Sequence, residues 1–144
     1  SRNSNKKSTL KGWFASLGGQ VVEVRVEGEA RYLLAEHEDE LAATQPSRAT
    51  CLLGAFDQFV LGPGTKDTHM LANEHRSRVS KAAGWIAPVL TQGGRITGVW
   101  EMNDGYLIVT LFPGEQAPPS KVLEDAAARL AAVHGLVKVT LRVG

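Results

Sequence analysis

Three strand-like runs separated by paired turn residues constrain this 144-residue chain more than any other feature. Ile86–Thr91, Arg95–Met102 and Tyr106–Phe112 are joined by Gly93-Gly94 and by Asp104-Gly105. Both pairs suit two-residue hairpin turns, whose central residues need positive φ and match the twist of the flanking strands. The spacing therefore predicts an antiparallel meander. After a loop from Pro113 to Pro119, Ser120 is placed to cap a helix that carries Leu123, Ala127, Leu130 and His134 on one face and closes at Gly135. A last strand, Leu136–Val143, alternates Val137, Val139, Leu141 and Val143 with Lys138, Thr140 and Arg142.

The first 45 residues read differently. Ser8-Thr9 can cap a helix with Leu10, Trp13, Phe14 and Leu17 on one side, stopped by Gly18-Gly19. Val22, Val24 and Val26 then alternate with charge in a half-buried strand, and Glu27-Gly28-Glu29 turns the chain into Arg31–Leu34. A helix running directly into a hairpin is how a winged-helix unit ends, and the opening of such a unit is not in this sequence. The front is expected to be truncated. Glu36–Ala43 reads as a short acidic helix that Gln45-Pro46-Ser47 ends. Between Thr50 and Ala83 come two short apolar runs, Cys51-Leu52-Leu53 and Phe59-Val60-Leu61. A Gly62-Pro63-Gly64 loop follows, then a helix from Asn73 to Ala83 ended by Gly84. The expected class is α+β: a mostly antiparallel small β-barrel or curved sheet with two helices (46–144), preceded by the helix and wing hairpin of a winged-helix unit (1–45).

Charge excludes several functional classes. Sixteen Lys and Arg against 15 Asp and Glu give a net charge of +1, and 43% of the residues are hydrophobic. This is neither a basic arm nor a charged disordered chain. The sum hides an uneven distribution: residues 1–20 carry +4, residues 21–45 carry −5, and the middle is mildly basic. A single cysteine, Cys51, excludes an intrachain disulfide framework and a multi-cysteine zinc site. No apolar run approaches the roughly 18 residues of a membrane span, and Ser-Arg-Asn-Ser-Asn-Lys-Lys is not a signal peptide. A cytoplasmic location without membrane partners is expected.

No catalytic or metal site is expected. His37-Glu38 is not the start of a His-Glu-x-x-His motif, because position 41 is Leu, and Glu36–Glu40 reads as a solvated helix face. Neither glycine-rich stretch has the strand-before, helix-after context of a phosphate loop. Cys51 beside two leucines reads as an inert buried thiol, and His134 as a packed histidine. Trp13, Trp85 and Trp100 all have apolar neighbours and read as core, although an aromatic ring can also serve as a stacking platform. Nucleic-acid binding has the better case. Lys7 and Lys11 flank the first helix, and Lys66, His69, Arg76 and Arg78 gather around the middle loop and helix, whose Asn73 start could offer free amides to phosphate.

One stretch adds a resemblance. Leu52-Leu53-Gly54-Ala55-Phe56-Asp57-Gln58 resembles the Leu-Leu-Pro-x-Phe-Asp-Pro segment of the winged-helix crosslink-repair DNA glycosylases, with Gly54 and Gln58 in place of the two prolines. The similarity continues in order through His75-Arg76-Ser77-Arg78-Val79, Ala83-Gly84-Trp85 and Pro88-Val89-Leu90 to Gly94-Arg95-Ile96-Thr97-Gly98-Val99-Trp100. Val26-Glu27-Gly28 resembles the family's last wing. The resemblance implies a longer parent in which tandem winged helices precede a small β-barrel, and whose chemistry is excision of alkylated bases, including unhooking of interstrand crosslinks.

That chemistry uses a Gln-x-Gln, Gln-x-Asp or His-x-Gln triplet. No glutamine or histidine of this chain begins one: the residues two positions on are Val, Ser, Val, Gly and Pro after the glutamines, and Asp, Leu, Ser and Leu after the histidines. The expectation is a non-catalytic C-terminal region that helps bind and position double-stranded DNA, without a cofactor and alongside the N-terminal winged-helix domains of its parent. Lys66, Arg76, Arg78 and Arg95 are the first candidates for phosphate contact, with Lys7 and Lys11 next, and Asp57 is assigned to a turn or an ion pair. The alternative is a module that packs on neighbouring domains and touches no nucleic acid, which the near-neutral charge and the acidic 21–45 band favour.

Overall fold

In a computed structural model, the structure describes residues 7–103, 106–133 and 140–143. The chain divides into two units, Ser1–Gln45 and Pro46–Gly144, and the fold is α+β. Asp104-Gly105, His134-Gly135 and the first part of the expected last strand lie outside the described residues.

In the first unit, α1 (Lys7–Leu17) ends where Gly18 adopts φ 51°, the left-handed conformation that a residue without a Cβ tolerates. Ser8 and Thr9 lie inside this helix rather than capping it. A single 3₁₀ turn leads into β1 (Val21–Val26), which pairs antiparallel with β2 (Glu29–Leu34) around Glu27-Gly28. Another 3₁₀ turn precedes α2 (Glu38–Ala43). The alternation of valines along β1 holds only in part: Val22 and Val24 are half-buried, whereas Val26 is exposed. No described residue of this unit is fully buried, and Trp13 and Phe14 on the apolar face of α1 are half exposed.

The second unit is built on one five-stranded sheet, β3 (Thr50–Leu53), β4 (Val89–Gln92), β5 (Arg95–Asn103), β6 (Tyr106–Leu111) and β7 (Thr140–Val143), side by side in that order. The meander is antiparallel, as the turn residues require; Gly93 and Gly94 both have positive φ. β7 instead runs parallel to β6. A parallel neighbour needs a crossover rather than a hairpin, and α5 (Ser120–Val133) lies between the two strands in sequence. Among the described residues no ladder joins β3 to β7, so of the two expected forms, barrel or curved sheet, the sheet is the open one.

Two apolar clusters hold this unit together. Val60, Leu71, Val79, Val89, Ile96 and Phe112 form one. The other joins Leu90, Trp100, Leu107 and Val109 of the sheet to Leu123 and Ala127 of α5. The run Phe59-Val60-Leu61 belongs to a one-turn helix, α3 (Gln58–Leu61), and not to a strand. Asp57 caps it, its Oδ1 accepting from Phe59 N at 2.8 Å. The expected 73–83 helix is also much shorter. A 3₁₀ turn (Asn73–His75) with Ala72 at its N-cap leads to α4 (Arg76–Val79), and Ser80 then leaves the helix to bridge Ile86. Asn73 therefore opens no long helix whose amides face outward. Among the described residues no helix is long and apolar enough to cross a membrane.

Candidate nucleic-acid interface

The bridge between Ser80 and Ile86 closes a tight loop that organises the main candidate site. Lys81 N donates to Trp85 O at 2.8 Å, and Ala87 N to Val79 O at 2.9 Å. Inside the loop Ala83 (φ 55°, ψ 22°) and Gly84 (φ 77°) are both left-handed. Two such residues in succession reverse the chain sharply and turn Trp85 outward, leaving it 50% exposed. The apolar neighbours of Trp13 and Trp85 point to a core, but both are surface residues, and of the three tryptophans only Trp100 is buried. The Trp85 ring meets Phe56 edge to face, with centroids 5.0 Å apart and planes at 85°.

Beside Trp85 lies a groove of about 480 Å³ whose lining includes Pro88, Trp100, Arg78, Lys81 and Glu101. Arg78 projects from α4 and Lys81 opens the loop, and both are exposed. Arg76, on the same short helix, is half-buried, and its Nε lies buried without a hydrogen-bond partner. The neighbouring His75 is buried against the ring of Phe112, 4.5 Å between centroids, with Glu74 Oε1 3.7 Å from its Nε2.

Arg95 and His69 meet elsewhere on this unit: Arg95 Nη1 donates to His69 O at 3.3 Å, and Asp67 Oδ1 accepts from His69 N at 2.9 Å. Lys66 is exposed in the turn just before. Lys7 and Lys11 belong to the first unit. They line a shallow groove of about 360 Å³ with Leu10, Phe14 and Tyr32, in which Phe14 and Tyr32 meet at 5.4 Å. Among the described residues none of Lys7, Lys11, Lys66, Arg76, Arg78, Lys81 and Arg95 is paired with a carboxylate, whereas Arg31 and Lys121 are. Unneutralised cations of this kind are what phosphate contacts need.

Other candidates have structural explanations. Asp57 is occupied as a helix cap. His37 lies between Glu36 and Glu40 on an exposed face, 3.8 and 3.3 Å away, and no three metal-ligating side chains converge among the described residues. Cys51 is half-buried on β3, more open than its leucine neighbours suggested. Neither Lys81 nor the exposed ring of Phe56 is marked out by the expected 73–83 helix or by the Leu52–Gln58 stretch. The signal that could have found them is Ala83-Gly84, a breaker directly before a tryptophan.

Comparison with known proteins bears on this geometry. The family described as "DNA glycosylase AlkZ-like" matches residues 3–133. A curated protein of Streptomyces sahachiroi, "Interstrand DNA cross-link repair glycosylase", is 49% identical over 143 residues, 99% of this chain. The chain spans 38% of that relative's length. The solved structure of the Streptomyces sahachiroi DNA glycosylase AlkZ superposes with a TM-score of 0.94 at 49% identity, covering 100% of this chain and 39% of that one.

Proposed function

This chain belongs to the AlkZ-like DNA glycosylase family, and on that premise we propose that it is the C-terminal, non-catalytic region of a DNA-repair glycosylase, helping to hold duplex DNA in position. The observation that carries this reading is the set of cations without carboxylate partners among the described residues, Lys66, Arg76, Arg78 and Arg95 in the second unit and Lys7 and Lys11 in the first. Base excision belongs to the rest of the parent. The lack of any Gln-x-Gln, Gln-x-Asp or His-x-Gln triplet in the chain supports that division, as does its coverage of 38% of a crosslink-repair relative. In this reading α1, β1 and β2 are the last helix and wing of a winged-helix unit.

The test is fluorescence anisotropy of a short labelled duplex titrated with the 144-residue chain across a salt series. Each phosphate contact contributes about −0.9 to the log–log slope, so four contacts give roughly −3.6. Absence of binding at low salt overturns the reading. A second role has its own observation: Leu10, Trp13 and Phe14 leave the apolar face of α1 open. That favours packing against the winged-helix domains of the parent, and a chain with this bracing role alone shows no salt-dependent DNA binding.

A further inference from the structure

Half-exposed aromatic rings held by strained backbone call for an explanation that a core does not supply. Among the described residues three non-glycine residues have positive φ, and two of them serve the same pair of rings: Phe56 itself (φ 58°) and Ala83 (φ 55°), two positions before Trp85. A bulky side chain in the left-handed region is a genuine outlier, and such strain persists only where the surroundings enforce it. Here it keeps apolar rings at the surface, with Phe56 42% and Trp85 50% exposed. Phe56 supports the indole edge to face.

The groove beside Trp85 supplies the complementary chemistry. At about 480 Å³ it falls in the range of small-molecule sites. Among the described residues Arg78 and Lys81 line it without carboxylate partners, and Glu101 is the one acid of its lining. A ligand with a flat π-face and an adjoining anion fits this arrangement. Glu101 also lines the groove and repels a phosphate, which favours placing the anion on Arg78 and Lys81. A protein partner would have to meet the rings and the two cations with separate side chains. A nucleotide uses both.

We propose that the Trp85 groove takes one unpaired nucleotide of a DNA strand, its base stacked on the indole and its phosphate held by Arg78 and Lys81. The inference rests on the reading of this chain as a DNA-holding region and adds to it a preference for DNA in which a base has left the stack. Base–aromatic stacking is sequence-tolerant because every base has a π-face, so the preference follows the unpaired state more than the identity of the base.

The experiment compares two labelled duplexes by anisotropy: a blunt duplex, and the same duplex carrying one bulged nucleotide. The expected result is about tenfold tighter binding of the bulged duplex, the scale of one stacked base. Trp85→Ala and Trp85→Leu abolish that preference and Trp85→Phe retains most of it, with unfolding midpoints measured alongside to show that each variant is folded. Arg78→Ala with Lys81→Ala weakens the bulged complex and flattens its salt slope. Equal binding of the two duplexes by the unmodified chain overturns the inference and leaves the duplex-holding reading intact, as does a preference that survives in Trp85→Leu. Trp85-dependent binding of the bulged duplex alone supports the inference and removes the general duplex grip. Binding of neither overturns both.

Discussion

The indole Nε1 of Trp100 donates to the carbonyl of Leu53 at 2.8 Å, reaching from β5 past β4 to the edge strand β3. Trp100 is 8% exposed and Leu53 is half-buried, so water competes for the bond only in part. It ties one end of β3, a strand of four residues, to the middle of the sheet. Trp100→Phe keeps an aromatic ring but removes the donor to the half-buried Leu53 carbonyl, a loss of about 0.5–1.5 kcal/mol, the net worth of a typical hydrogen bond. The expected outcome is a lower denaturation midpoint, with amide exchange fastest in β3. Unchanged exchange there would show that the bond carries no weight.

Gly98 is a second point where the sheet admits no alternative. A Cβ at this position would lie 2.6 Å from the Thr110 carbonyl oxygen and 3.2 Å from the Leu111 Cα, both backbone atoms of the neighbouring strand. The β4–β5 register also shifts beside it, with Leu90 opposite Gly98 and Thr91 opposite Ile96. Gly98→Ala must push β6 away from β5, and overpacking of this kind costs about 1–3 kcal/mol. Gly12→Ala in α1 is the control. No heavy atom lies within 4 Å of its added Cβ, so it is neutral or stabilising by up to about 1 kcal/mol.

The contrast between Trp100 and Trp85 shows what could be read from the sequence. Both have apolar neighbours, and that local signal places Trp100 correctly. It fails for Trp85, because the direction of that ring is set by Ala83-Gly84 and by the bridge of Ser80 to Ile86. The same bridge cuts short a helix whose pattern extended to Ala83. Turn chemistry is local, so the β4–β5 turn at Gly93-Gly94 was legible. The parallel pairing of β7 with β6 was not, since the partner of a strand after a crossover is chosen by packing. Phe59-Val60-Leu61 fits strand or helix equally well, and Asp57, accepting from Phe59 N, decides for helix. The phosphate candidates were found as residue types, but their grouping was not: Arg78 faces a groove with Lys81, whereas Arg95 meets the His69 carbonyl instead.

The cross-strand pair Glu23–Tyr32 gives the hairpin a pH dependence. Tyr32 OH donates to Glu23 Oε2 at 3.1 Å, and this hydrogen bond, then the carboxylate's charge, raises the phenol above the usual tyrosine range. The neutral phenol is the favoured form in the folded chain. The pair's contribution is therefore full below the ordinary tyrosine pKa and lost as pH rises through the higher folded value. Because the pair is at the surface, salt weakens it. An ultraviolet phenolate titration should show Tyr32 ionising at higher pH than it does in Glu23→Gln, with the gap narrowing as salt is added. Identical titrations would remove the pair.

Arg76 and Arg78, two positions apart on α4, separate folding from binding. Arg78 is exposed and edges the Trp85 groove, so Arg78→Ala should leave the unfolding midpoint in place and reduce the DNA salt slope by about 0.9. Arg76 is half-buried with its Nε inside the unit. A half-buried long cationic side chain contributes packing through its stem, and truncation loses that burial along with the charge. Arg76→Ala should therefore lower the midpoint as well as weaken DNA binding, while Arg76→Met restores stability without restoring affinity. Parallel measurement of thermal unfolding and anisotropy on the three variants decides the matter. An Arg76→Met chain that binds DNA as tightly as the unmodified one takes Arg76 out of the interface and leaves it a packing residue.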